Sequence, residues 1–111
     1  MDQPMYFIST LMPGRPDFLA TMTTQERAVM GEHAAYTRRL FEEGKILLGG
    51  AATDGAIGVI VWRLGSAEEA RRIFEDDPAV KGNIGEAELH QFRVGLWAGN
   101  RFQSSPSIIS D

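Results

Sequence analysis

The chain has 111 residues, 43% of them hydrophobic and 23% charged, with no cysteine and a formal net charge of −4 at pH 7. This size is typical of one domain, and the absence of cysteine excludes a disulfide scaffold, a thiolate metal site and a cysteine nucleophile. The basic residues are scattered, which argues against nucleic-acid binding. Because no apolar run is long enough to span a bilayer, we expect a cytoplasmic protein without membrane association.

The first predicted elements are a strand and a long helix. Residues 5–12 are rich in aromatic and β-branched side chains, which favours a strand that ends at the prolines of residues 13–16. Thr23 and Glu26 form a capping-box pattern, so we predict a helix that begins near Thr23 or Thr24 and ends at Glu43.

The second half predicts a hairpin, a short helix and a last strand. Residues 46–48 and 57–62 read as two strands joined by a turn at Asp54-Gly55. Ser66 with Glu69 opens a helix to about Glu75. The final strand is predicted over residues 88–97, and we assign residues 1–97 to one domain. The polar segment 98–111 is expected to be a flexible tail or to dock on a partner subunit.

The order βαββαβ predicts an α+β fold of ferredoxin-like type, with one antiparallel sheet and two helices on one of its faces. The third strand is apolar at nearly every position from Ile57 to Trp62. An exposed sheet face would alternate with polar residues, so both faces of this strand favour burial. We therefore predict a homodimer whose sheets meet face to face. Cover by the first long loop and the tail of the same chain is the alternative.

His33 is the best candidate for acid–base chemistry. It shares a helical stripe with Val29, Tyr36 and Leu40, which directs it toward the sheet, and imidazole can exchange a proton near neutral pH. A structural imidazole is the alternative.

A carboxylate could orient that imidazole. Asp77 before Pro78 is the natural partner, although the same dipeptide also ends helices, and Asp76 could serve instead. His90 has no metal-ligand spacing to His33, so a metal site would have to depend on carboxylates, for which no motif gives support. Our prediction includes no metal and no organic cofactor.

Several motifs in combination resemble the YCII (YciI-like) family over about residues 5–97. They are His33-Ala34-Ala35-Tyr36 followed by Leu40, Gly44, Leu47-Leu48 and Gly49-Gly50, then Ser66 to Ala70, Asp76-Asp77-Pro78, Gly82 and the strand through Phe92.

The resemblance implies a dimeric α+β barrel and a cleft with a His–Asp pair, which corresponds to His33 and Asp77. The clearest activity in the family is a lyase-type dehydrochlorination of a substituted hydroquinone. The loop over residues 13–22 and the tail after Trp97 depart from shorter members, so substrate identity does not carry over.

We therefore predict a possible lyase or isomerase in which His33, oriented by Asp77, acts on a small cyclic or aromatic molecule without a cofactor. The main alternative is a non-catalytic dimeric module that binds a small ligand or a protein. A cofactorless oxygenase or a haem-handling protein is a third possibility, for which no residue gives specific evidence. The dyad requires the two side chains within hydrogen-bonding distance, and a separation above about 8 Å would exclude it.

Overall fold

The computed structural model describes residues 3–99. The predicted tail, apart from residues 98 and 99, lies outside the described residues. The elements are β1 (Met5–Pro13), α1 (Phe18–Thr21), α2 (Thr24–Glu42), β2 (Ile46–Ala51), β3 (Gly58–Leu64), α3 (Ala67–Asp76), α4 (Pro78–Lys81) and β4 (Gly85–Gln91). The βαββαβ order is confirmed, with α1 and α4 as additional short helices.

The four strands form one antiparallel sheet in the order β2-β3-β1-β4. This order is the one expected of a ferredoxin-like fold, in which the first and third strands lie at the centre.

The main core lies between this sheet and the two longer helices. Phe7 of β1 is opposite Trp62 of β3, and both are buried. They pack with Leu40 of α2 and Ile73 of α3 in one apolar cluster. Since successive residues of a strand point to opposite faces, these contacts define a helix-covered face of the sheet.

The other face of the sheet, which we call the open face, carries the alternate residues. Ile8 and Val61 are paired across β1 and β3 and are half-buried, and Leu48 of β2 is 55% exposed. On β4 the same face presents Glu88 and His90, which are exposed. The open face therefore has an apolar patch around Ile8, Val61 and Leu48, and it is polar along the β4 edge.

A second, smaller core holds the short helices in place. Phe18 of α1 is buried together with Ala79 of α4 and Ile84, and Met30 of α2 packs against them. This cluster brings the loop after β1 and the segment after α3 to the same end of α2.

The last strand is shorter than the predicted strand 88–97. It ends at Gln91, although the Phe92 amide still donates to the Tyr6 carbonyl at 2.8 Å. The partner β1 begins at Met5, and Pro4 before it has no N–H to donate. The apolar alternation continues past Gln91, but the partner strand ends, and Trp97 is exposed.

Within the described part of the chain, no helix combines the length and the apolar character needed to cross a membrane.

Candidate functional site

His33 lies in the middle of α2 and contacts the segment between α3 and α4. The capping box at the start of α2 forms as predicted: the Thr23 hydroxyl accepts from the Glu26 amide, and the Glu26 carboxylate accepts from the Thr23 amide. His33 is ten residues after Thr23, and its Nδ1 lies 2.7 Å from Asp77 Oδ1. The side chains of His33 and Asp77 are 21% and 11% exposed, so the pair is largely shielded from water.

The backbone around Asp77 fixes its carboxylate. Asp77 follows the last residue of α3 and is the N-cap of α4, and its Oδ1 also accepts a hydrogen bond from the Ala79 amide at 2.8 Å. Pro78 occupies the first position of α4, where proline is favoured because its missing N–H would have no helical partner. One carboxylate oxygen thus both caps a helix and orients the imidazole.

The structure brings Asp77, rather than Asp76, to His33. Asp76 is exposed at the end of α3.

The nearby Tyr36 hydroxyl donates to the Ile73 carbonyl at 2.7 Å. Burial, together with the negative charges of Asp76 and Asp77, raises the pKa of Tyr36. Tyr36 therefore stays a neutral phenol that ties α2 to α3.

A cavity of about 570 Å³ lies beside the dyad, between α2 and the helix-covered face of the sheet. Both His33 and Asp77 line it. Each α2 residue that lines it has another lining residue three or four positions away, as expected for one side of a helix. They are Met30, His33, Ala34, Thr37, Arg38 and Phe41.

Small residues on the sheet leave the space open. Ser9, Gly49 and Gly58 line the cavity at positions where larger side chains would fill it. A Cβ added to Gly49 would meet Ile60 Cγ1 at 3.7 Å, an ordinary van der Waals contact. The Ser9 hydroxyl accepts a hydrogen bond from Trp62 Nε1 at 2.8 Å and retains its own proton for donation.

Two large apolar side chains stand at the mouth of the cavity. Leu19 of α1 is 51% exposed and Phe41 of α2 is 54% exposed, and both line the cavity. The turn between β2 and β3 closes against Leu19: Gly55 has a φ of 78°, and a Cβ there would lie 2.7 Å from Leu19 Cγ. Only glycine accommodates both this backbone conformation and this contact.

An ion pair that the sequence did not reveal holds α1 beside the mouth. Arg15 Nη1 and Nη2 donate to the two Glu26 carboxylate oxygens at 2.9 and 2.8 Å, and Nη2 also donates to the Thr21 carbonyl at 2.7 Å. The Arg15 guanidinium lies 5.3 Å from the centre of the Phe18 ring. The hydrogen bonds that the Glu26 carboxylate accepts from Arg15 and from the Thr23 amide lower the pKa of Glu26 to about 2.

The ionisable groups in the cavity wall are few. Of the described lining residues, only His33, Arg38 and Asp77 carry ionisable side chains. Over residues 3–99 there is no cluster of three or more His, Cys, Asp or Glu that could hold a metal ion. His90 lies apart on β4, exposed, with Nε2 2.9 Å from Glu88 Oε1.

The YCII-related domain model matches residues 6–93, and the chain belongs to this family. No curated protein matches it. The dehydrochlorinase TftG from Burkholderia phenoliruptrix AC1100 acts on 5-chloro-2-hydroxyhydroquinone and was solved with 2,5-dihydroxybenzoquinone; its structure aligns with a TM-score of 0.60 and 19% identity, over 80% of this chain and 95% of TftG. PA3566 from Pseudomonas aeruginosa aligns with a TM-score of 0.53 and 14% identity, over 86% of this chain and 98% of that protein. Both likenesses establish the fold that the sequence predicted.

Proposed function

We propose that the protein is a cofactor-independent enzyme in which His33 is the general base and acid and Asp77 orients it. The observation that carries the proposal is the 2.7 Å contact between His33 Nδ1 and Asp77 Oδ1 in the wall of a 570 Å³ cavity. The membership of the YCII-related family and the fold shared with a dehydrochlorinase support an enzyme.

The hydrogen bond sets the tautomer of His33. Asp77 Oδ1 accepts the Nδ1 proton of the neutral imidazole, so Nε2 holds the lone pair. When Nε2 takes a proton, the ring becomes a cation next to the Asp77 carboxylate, which stabilises it. The same ring can then return the proton, so one residue serves as base and acid in turn.

Elimination or isomerisation suits this arrangement. In an elimination, Nε2 removes a proton from a substrate carbon, the C–H electron pair forms a new double bond, and the leaving group departs as an anion with its own electron pair. In an isomerisation, the imidazolium returns the proton to a different atom of the substrate. Neither reaction changes the overall oxidation level. The apolar lining from Met30, Ile60 and Phe41 favours a small cyclic or aromatic substrate.

Chloride release from chlorinated hydroquinones, and solvent deuterium uptake by hydroxyquinones, would test the proposal. We expect His33→Ala to lower kcat/KM by about 10²–10⁴-fold, the usual contribution of a general acid–base group. Asp77→Asn should lower kcat with a smaller effect on KM. The matched control is Asp76→Asn, which changes an exposed carboxylate one residue away. Full activity in both His33→Ala and Asp77→Asn would refute the assignment.

A non-catalytic ligand-binding module is the alternative that the same experiment separates. The cavity could hold a ligand without reaction, and His33 would then be only part of its wall. In that case a compound would bind and raise the melting temperature of the protein, but the protein would not convert it to a product. Loss of this thermal shift in His33→Ala would still indicate a binding site beside His33.

We also propose a homodimer that forms through the open face. Half-buried Ile8 and Val61 and exposed Leu48 would be covered by a second copy, while the cavity lies on the opposite, helix-covered side. Val61→Glu should therefore lower the molar mass measured by light scattering. Ala35→Glu, on the exposed side of α2, is the control. An unchanged mass in Val61→Glu, or a monomeric wild type, would contradict the dimer.

A further inference from the structure

Among the described residues that line the cavity, Arg38 is the one whose charge neither the fold nor the dyad uses. It lies on α2, one turn beyond Ala34, and is exposed to solvent while it lines the cavity. It is five positions after His33, which corresponds to about 7.5 Å along the helix axis. A small ring with one substituent spans a distance of this order.

Arg15, beside the cavity mouth, and Arg39, next to Arg38, each have a carboxylate partner. Arg15 is bound by the Glu26 carboxylate. Arg39 Nε lies 3.8 Å from Glu43 Oε2, and its guanidinium lies 5.3 Å from the centre of the Tyr36 ring. Within residues 3–99, no carboxylate lies within 4.0 Å of the Arg38 guanidinium.

The described part of the cavity wall carries little negative charge. Asp77 is the only acidic residue among the described lining residues. Its carboxylate is already engaged, since Oδ1 accepts from His33 Nδ1 and from the Ala79 amide. Among residues 3–99, no carboxylate is therefore left to pair with the Arg38 guanidinium, which is available to a negatively charged ligand.

We propose that Arg38 binds a carboxylate group on the substrate, and that the cavity selects small cyclic acids over their neutral analogues. The inference rests on the proposed function, because it assigns one substrate group to Arg38 and the reacting carbon to His33. A guanidinium offers two parallel N–H donors that match the two oxygens of a carboxylate. Exposed Phe41 and Leu19 at the mouth would contact the apolar ring.

The overall charge of the protein makes this selectivity local. The formal net charge is −4, so the long-range field of the molecule does not attract anions. A preference for an anionic ligand must then depend on a nearby cation, and it should disappear when that cation is removed.

Titration calorimetry with 2,5-dihydroxybenzoate and 2,5-dihydroxybenzamide would test the proposal, since the two probes differ mainly in charge. We expect the wild type to bind the benzoate about tenfold more tightly than the amide, as one charge-assisted contact would provide. Arg38→Met should make the two affinities equal by weakening only the benzoate. Arg38→Lys should retain part of the preference, because it keeps the charge and loses the planar pair of donors.

Arg39→Met is the matched control, since Arg39 is adjacent on α2 and lies outside the cavity wall. It should keep the tenfold preference. Equal affinity of the wild type for the two probes, including no measurable binding of either, would overturn the proposal, as would an unchanged preference in Arg38→Met. If instead the assignment of the His33–Asp77 dyad is wrong, the result is different. His33→Asn would then keep the wild-type rate of chloride release or deuterium uptake, and the tighter binding of the benzoate would still depend on Arg38.

Discussion

Replacement of Asp77 by alanine removes one carboxylate oxygen that accepts two hydrogen bonds, from His33 Nδ1 and from the Ala79 amide. Loss of an N-cap side chain costs about 1 kcal/mol. Loss of a hydrogen bond to a charged group costs about 1.5–3 kcal/mol, and the largely buried position of the pair places this site within that range. Together, these losses should lower the free energy of unfolding of Asp77→Ala by about 2.5–4 kcal/mol.

Replacement of Asp77 by asparagine should lower the free energy of unfolding by much less than replacement by alanine. The asparagine amide oxygen can still cap α4, and asparagine is among the preferred N-cap residues. The same oxygen can accept from His33, but without the negative charge, and a neutral hydrogen bond is about half as strong. We therefore expect Asp77→Asn to lose about 1 kcal/mol of stability while its catalytic defect remains large.

Thermal and denaturant unfolding of the two variants would measure the difference. At about 5 °C for each kcal/mol in a domain of this size, Asp77→Ala should lower Tm by about 12–20 °C and Asp77→Asn by about 5 °C. Asp76→Ala is the control, because that side chain is exposed and its charge at the end of α3 is unfavourable to the helix dipole. Equal losses in Asp77→Ala and Asp76→Ala would refute a structural role for the dyad.

Three further predictions concern the cavity, α2 and the ion pair between Arg15 and Glu26 beside α1. Gly49→Leu should abolish small-molecule binding in calorimetry without lowering Tm, because a Cβ at Gly49 makes only ordinary contacts and a longer side chain would enter the cavity; retained binding would contradict it. Gly31→Ala should raise the free energy of unfolding by about 1 kcal/mol, since a Cβ at this exposed position inside α2 meets nothing within 4 Å. Glu26→Gln should destabilise the protein at neutral pH, because the pKa of Glu26 is lowered to about 2 in the folded state. The stabilisation by ionised Glu26 is present above the ordinary pKa of Glu and is lost as pH falls toward the lowered pKa. The difference in free energy of unfolding between wild type and Glu26→Gln should therefore decrease in denaturant titrations from about pH 7 to about pH 3. A constant difference would contradict the ion pair with Arg15.

Local signals in the sequence were sufficient for most of the fold. The capping-box pattern at Thr23 and Glu26 located the start of α2 within one residue, because both hydrogen bonds form within four residues of chain. At Ser66 the same pattern also started a helix, but the Glu69 carboxylate accepts from the Gly65 amide instead of closing the box. The last strand was overestimated for a different reason. The residue at which it ends depends on where its antiparallel partner β1 begins, which is information from a distant part of the chain.

The candidate site required contacts that periodicity does not contain. The stripe of α2 predicted that His33 faces inward, but the choice between Asp76 and Asp77 depends on which carboxylate points back across the junction of two helices. One local signal could have decided it. Asp followed by Pro is typical of an N-cap and the first position of a new helix, as well as of a helix end, and α4 begins at Pro78 with Asp77 as its cap.

Arg38 gives no such signal, because it stands beside Arg39 in a polar stretch of α2 and nothing in the sequence separates their roles. Only the structure distinguishes them: Arg39 packs on Tyr36 and pairs with Glu43, whereas Arg38 lines the cavity. His33 and Asp77 can be found by asking which residues the fold holds in place. A residue that binds substrate is found by the opposite question, namely which charge the fold leaves without a partner. For residues 3–99 the cavity wall gives one answer, Arg38, and the comparison of a carboxylate probe with its amide tests it directly.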